Sequence, residues 1–215
     1  MLEVVIAVSV LMIILAPAGA LFVNSIRNTA MDKNELIGAA LAEEGVEMMR
    51  NFRDTNFLKF SSKKQDCWNV MPNETECIGA TSGIGSPLAP TVTYYKLTLN
   101  PANMTWGLES PTPQFDLGNP GTDPNNNIEI YRLKLDVDAA DPNSTGVYFV
   151  QPSTVVTPLA RAASTFYRQI SVEYLDVNGD SFTDKAMKVT SLVRYKSGTK
   201  FNDIKRILIL TNQPL

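Results

Sequence analysis

Asp176, Asn178, Asp180 and Asp184 place oxygen-bearing side chains at alternating and then wider intervals. Such spacing suits calcium, a hard cation that gathers about six to eight oxygen ligands from one flexible loop. The twelfth position of that loop, which would carry a bidentate glutamate, is Met187. The same stretch contains Asn178-Gly179, a pair that makes a tight hairpin turn. The hairpin is the preferred reading, with calcium as the alternative use. Cys67 and Cys77 are the only cysteines and histidine is absent, so a zinc site built from these types has too few ligands. The lack of histidine also removes the commonest general base. There is no glycine-rich phosphate loop, no serine–histidine arrangement and no internal repeat. Scattered carboxylates alone do not make an active site, so a protein without enzymatic activity is expected, with no catalytic residues and no cofactor beyond that calcium.

Glu3 is the remaining reactive group, and its position is unusual. Val4 to Val23 reads as twenty residues without a charge, with Ser9 alone polar. At about 1.5 Å per residue this run spans roughly 30 Å, the thickness of a bilayer core. It is apolar on every face, unlike the helices of soluble cores. A cleaved secretory signal is disfavoured, because no Lys or Arg precedes the run, and it continues past Ala16-Pro17-Ala18-Gly19-Ala20 through Val23. Pro17 removes a backbone donor and should kink or loosen the helix. A carboxylate heading such a run costs several kcal/mol to bury without a partner. Glu3 therefore either sits at the membrane interface, favoured by the helix dipole, or awaits an opposite charge.

Leu2-Glu3-Val4-Val5-Ile6-Ala7-Val8 resembles the start of the mature type IV pilin helix, whose usual form is Gly, then Phe-Thr-Leu-Ile-Glu, then an apolar run. Leu41-Ala42-Glu43-Glu44-Gly45-Val46-Glu47, continuing through Arg50-Asn51-Phe52-Arg53-Asp54, is similar to the AQEGIE…RNIRDNN stretch of pilin-like proteins from ultrasmall candidate-phylum bacteria. The strand-rich C-terminus has the same pattern. The family's Gly, its Phe and its short basic leader are not found before Glu3, so the true start is expected to lie upstream of Met1. Where that leader exists, the resemblance implies cleavage by prepilin peptidase and methylation of the new amine. It also implies that Glu3 neutralises the N-terminal amine of a neighbouring subunit during assembly, and it keeps calcium alive, since some pseudopilins hold it in a C-terminal loop.

The anchor places the rest of the chain outside the cytoplasm, where disulfides persist. Cys67 and Cys77 bracket nine residues, and a bridge between them is preferred to two free thiols. Closing that loop would contribute about 2–3 kcal/mol. From Asn24 to about Phe60 the pattern stays helical, with Ile37, Leu41, Met48 and Phe52 on one face. Lys33, Glu35, Glu43, Glu47, Arg50 and Arg53 fall on the polar face, where Glu43 and Glu47 are placed to pair with Arg50 and Glu43-Glu44 should be solvated. Ser61 to Pro90 reads as loop. Strands are expected at Thr91–Leu99, Ile128–Val137, Tyr148–Val150, Phe166–Leu175, Ala186–Tyr195 and Lys205–Thr211. Asn100 to Asn127 is rich in Pro, Gly and Asn and should be an extended loop. Sequons at Asn73, Asn103 and Asn143 fall in these loops and are expected to be chance matches.

The fold class expected is α+β, a long hydrophobic-then-amphipathic N-terminal helix packed on a C-terminal antiparallel sheet, which is the pilin fold. Three parts are expected: a membrane or filament-core helix (1–23), an amphipathic half (24–60) and a sheet head (61–215). Nineteen basic against 22 acidic residues give a net charge of −3, unlike a general nucleic-acid binder. The expected role is a minor pilin or pseudopilin of a type IV pilus-like or type II secretion-like filament. Its partners would be other subunits, met through the N-terminal helix, and the inner membrane before assembly. The head would be extracytoplasmic, and on the cell surface once assembled. The alternative is a single-pass anchored binding domain that never polymerises.

Overall fold

The computed structural model describes residues 2–72, 74–75, 77, 83–84, 92–100, 105–109, 130–136, 148–151, 161–175, 186–197 and 200–213. The architecture is α+β, one long N-terminal helix followed by an antiparallel sheet. The chain divides into two units, Met1–Ile37 and Gly38–Leu215.

The first unit is helical throughout its described length, as the opening part of α1 (Leu2–Lys59). Val and Ile are indifferent helix formers in water. A helix is nonetheless the way to satisfy every backbone group within one apolar segment. Two hydroxyls follow the same logic. Ser9 Oγ donates to Val5 O at 2.7 Å, and Thr29 Oγ1 donates to Ser25 O at 2.9 Å, so both hydroxyls are satisfied inside the helix. Helical structure continues on both sides of Pro17, whose missing N–H leaves the carbonyl one turn earlier without its usual donor.

In the second unit the helix becomes one-sided. Gly38, Leu41, Ala42, Gly45, Val46, Met49, Phe52, Arg53, Asn56 and Phe57 are buried, a stripe at the spacing of one helical face. Leu41 and Phe52 lie on it as expected, whereas Met48 is only half-buried at its margin and Ile37, half-buried, is the last residue of the first unit. Arg53 is a correction. It belongs to the buried stripe at 6% exposure, not to the polar face. Its Nε donates to Asp54 Oδ1 at 2.8 Å and its guanidinium lies 5.7 Å from the centre of the Phe57 ring. The aliphatic stem fills the interface while the charged head finds an acid and an aromatic face. Glu47 does pair with Arg50 at 2.7 Å, but Glu43 instead reaches Arg206 at 3.3 Å.

After α1 comes the short α2 (Lys64–Cys67). The strands are β1 (Thr93–Asn100), β2 (Thr105–Glu109), β3 (Arg132–Asp136), β4 (Tyr148–Val150), β5 (Arg161–Leu175), β6 (Ala186–Ser197) and β7 (Lys200–Thr211). β5 is the spine. Along one edge it pairs with β6, which pairs with β7. Along its other edge it pairs with β3 through its N-terminal half and with β1 near its C-terminal end. β2 extends β1, and β4 extends β3. Every pairing is antiparallel.

β2 falls inside the segment expected to be one long loop. Thr105-Trp106-Gly107-Leu108-Glu109 is short and interrupted by glycine, so its strand signal is weak. It forms because Leu108 and Trp106 stand opposite Leu97 and Leu99, and Lys96 and Glu109 pair at 2.5 Å.

Helix and sheet meet closely at Gly45. A Cβ there would overlap Ser191 Oγ and lie 2.9 Å from Ile170 Cδ1. Val46, Met49, Phe52 and Phe57 pack against Tyr95, Leu97, Ile170, Val172, Tyr174, Met187, Val189 and Leu210 in one apolar cluster. Trp68 and Ile84 complete it from the segment after α1.

Candidate functional site

Glu3 lies in the first turn of α1. Around it Leu2, Val4, Val5 and Ile6 are 77%, 65%, 63% and 56% exposed. Exposed large apolar side chains continue through Val8, Val10 to Leu15, Leu21 to Val23 and Ile26. This helix is long and apolar enough to cross a membrane, and none of its most apolar stretch is buried within the chain. Among the described residues no ion pair involves Glu3. An apolar stripe is ordinary where a core covers it, but a contiguous uncovered apolar surface of this extent marks a contact with lipid or another protein.

Cys67 and Cys77 are joined by a disulfide, with a Cα–Cα distance of 5.7 Å. The bridge closes the segment that supplies Trp68 and Val70 to the core. Asn56 ties the same segment to α1, its Nδ2 donating to Trp68 O at 3.1 Å and Val70 O at 2.7 Å. Tyr174 secures the far side. Its hydroxyl donates to Ile84 O at 2.5 Å and accepts from Asn69 Nδ2, and its ring meets Trp68 edge-on at 6.5 Å. Burial pushes the Tyr174 phenol well above its usual value, against a smaller opposing effect of the Asn69 hydrogen bond.

Asp176, Asn178, Asp180 and Asp184 lie outside the described residues, as do the sequon positions Asn73, Asn103 and Asn143. Among the described residues no cluster of three or more His, Cys, Asp or Glu side chains could hold a metal.

The structure adds two buried polar centres with no periodic signature in the sequence. The first is Arg168, wholly buried in the middle of β5. Its Nη1 lies 3.4 Å from Glu44 Oε1 and 3.4 Å from Leu41 O, and its guanidinium sits 5.7 Å from the centre of the Trp106 ring. Among the described residues Nε and Nη2 have no hydrogen-bond partner. Burial lowers the Arg168 pKa from its ordinary value, opposed by the nearby Glu44 carboxylate, and arginine still carries its charge under such conditions. Glu44 is thus half-buried against a cation and is not simply a solvated acid.

The second centre is Gln151, fully buried just after β4. Its Oε1 accepts from Leu97 N at 3.1 Å, while its Nε2 donates to Tyr131 O at 2.8 Å and Arg168 O at 2.6 Å. β1 and β3 leave a gap between them along β5, and backbone groups at such a gap lose their ladder partners. The glutamine amide satisfies them. Among the described residues β7 pairs with β6 alone, leaving its other edge open, where Ile207 and Ile209 are 60% and 58% exposed. Lys205 and Arg206 put charge along that edge, which discourages chance strand pairing.

Comparison with protein-family models, with curated proteins and with solved structures finds no match for this chain.

Proposed function

We propose that this protein is a structural subunit, a minor pilin or pseudopilin, that assembles into a type IV pilus-like or type II secretion-like filament through its N-terminal helix. The observation that carries the proposal is α1 itself, apolar and uncovered over its first part with one carboxylate in its first turn, and amphipathic where it packs on an antiparallel sheet. A helix of this kind serves two environments. Lipid covers it before assembly, and the helices of other subunits cover it afterwards. Glu3 then has a role in register. Paired with the N-terminal amine of a neighbouring subunit it is far cheaper to bury than alone, and a misaligned subunit leaves it unpaired.

The head would stand outside the cytoplasmic membrane, where the Cys67–Cys77 disulfide persists. A second reading, an anchored surface domain that does not polymerise, draws on the same helix but gives Glu3 no partner. Glu3→Ala separates the two. A filament subunit loses its place in filaments sheared from cells while staying in the membrane; a plain anchor shows no change. The DNA upstream of Met1 supplies an independent check, since a prepilin requires an in-frame basic leader ending in Gly-Phe.

A further inference from the structure

A cleft of about 410 Å³ opens beside the end of α1 and is lined by Asn51, Thr55, Lys59, Pro72, Thr105 and Trp106, with Phe52 and Asn56 beneath. We infer that it binds the pyranose ring of a carbohydrate, with preference for a sugar that carries a carboxylate. The inference stands apart from the filament role, since it concerns the sheet-bearing unit alone.

The lining has two unlike walls. Asn51, Thr55 and Lys59 recur every four residues, so they form one ridge along the helix. All three are exposed. Thr55 Oγ1 lies 3.5 Å from Asn51 Oδ1, on the oxygen side of the amide, which leaves the amide N–H donors for another acceptor. Lys59 Nζ donates to Glu74 O, so the ammonium is held at one end of the ridge with further N–H donors to spare. The facing wall is fixed and presents the Trp106 ring and Pro72, with Thr105 as its one polar member among the described residues. Trp106 is paired through β2 to Leu99, packs on the main core and lies over the Arg168 guanidinium. Asn56 and the disulfide hold the segment that contributes Pro72.

A pyranose ring matches both walls at once. Its C–H faces are apolar and suit an indole, while its hydroxyl edge presents donors and acceptors suited to an amide and a hydroxyl. The described lining includes an ammonium and no carboxylate, which favours an anionic sugar over a neutral or cationic one. The volume lies in the range of small-molecule sites, about 300–1,000 Å³.

The test uses the full chain in phosphocholine micelles, which carry no sugar headgroups, titrated with glucuronate, glucose and a glucuronate oligosaccharide. The chain has two tryptophans, and Trp68 is 2% exposed, so a sugar-dependent change in emission reports on Trp106. A saturable change with glucuronate is expected, with a dissociation constant on the order of 1 mM and roughly ten-fold weaker binding of glucose. Lys59→Gln should bring the two sugars to similar affinity, and Asn51→Ala should weaken both at least several-fold. Tighter binding of the oligosaccharide identifies a polymer chain as the source; equal binding identifies the free sugar. Asn51 is exposed, so its variant is expected to keep the fold and the Trp106 reporter intact. The inference is overturned if no sugar gives a saturable change up to about 100 mM, or if binding survives unaltered in Asn51→Ala. Equal affinity for glucose and glucuronate in the unaltered chain would overturn the acidic preference.

Discussion

Replacing Glu44 by glutamine should destabilise the sheet-bearing unit, whereas replacing its partner Arg168 by methionine should cost far less. Arg168 is wholly buried and Glu44 is 31% exposed, with 3.4 Å between Nη1 and Oε1. At that distance and an effective dielectric near 20, two opposite unit charges attract by roughly 5 kcal/mol. Solvent reaching the carboxylate screens part of this, so about 2–3 kcal/mol is the loss expected in Glu44→Gln, which leaves a buried cation without its counter-charge. Arg168→Met removes that cation together with Nε and Nη2, two groups without hydrogen-bond partners among the described residues. Apolar replacements of buried charges of similar length are often neutral or stabilising. The double variant should therefore be more stable than Glu44→Gln alone. Urea unfolding of the full chain in micelles, followed by tryptophan emission, measures all three. The Glu44→Gln effect corresponds to a lowering of Tm by about 4–12 °C for a unit of this size. The reasoning fails if Glu44→Gln lies within about 0.5 kcal/mol of the unaltered chain, or if Arg168→Met is the more damaging change.

Three further outcomes follow from the packing and the hydrogen bonds. Gly45→Ala gains helix propensity but drives a methyl into Ser191 and Ile170, so thermal unfolding should show a net loss of about 1–3 kcal/mol, whereas Gly19, with nothing within 4 Å, should accept alanine. Gln151→Leu strands Leu97 N, Tyr131 O and Arg168 O and should cost about 3 kcal/mol or more in urea unfolding. The raised pKa of Tyr174 means that its contribution is fully present below the unfolded phenol value of about 10 and is lost as pH rises beyond it. The urea midpoint should therefore fall more steeply above pH 10 in the unaltered chain than in Tyr174→Phe.

The parts of the fold that follow from periodicity were legible in the sequence. The uniform apolar run, the switch to a one-sided helix and the alternating strand at Ala186–Tyr195 each announce an element through spacing alone. The Cys67–Cys77 bridge followed from having two cysteines in a chain with an apolar anchor. Arg53 was misplaced because its charge outweighed its position, although residues 49, 52, 53 and 56 form one continuous stripe. β5 begins at Arg161 and β7 at Lys200, earlier than expected. Arg161-Ala162-Ala163-Ser164 and Lys200-Phe201-Asn202-Asp203 carry little alternation, and both become strands because a neighbour supplies the ladder. Gln151, Arg168 and Trp106 act through partners distant in sequence, which one-dimensional spacing does not encode. The calcium-like spacing from Asp176 to Asp184 belongs to residues outside those described.

The proposal that α1 drives assembly puts the greatest demand on one side chain. The decisive measurement is the amount of subunit in sheared filaments relative to the membrane fraction, compared between the unaltered chain and Glu3→Ala, with Leu2→Ala as a control for apolar surface. Losing the carboxylate leaves a neighbour's amine unpaired in an apolar core, a cost of several kcal/mol. The account predicts that Glu3→Ala stays in the membrane at normal levels and is depleted at least ten-fold from filaments, while Leu2→Ala still enters them. Glu3→Ala subunits present in filaments at the unaltered level would contradict it.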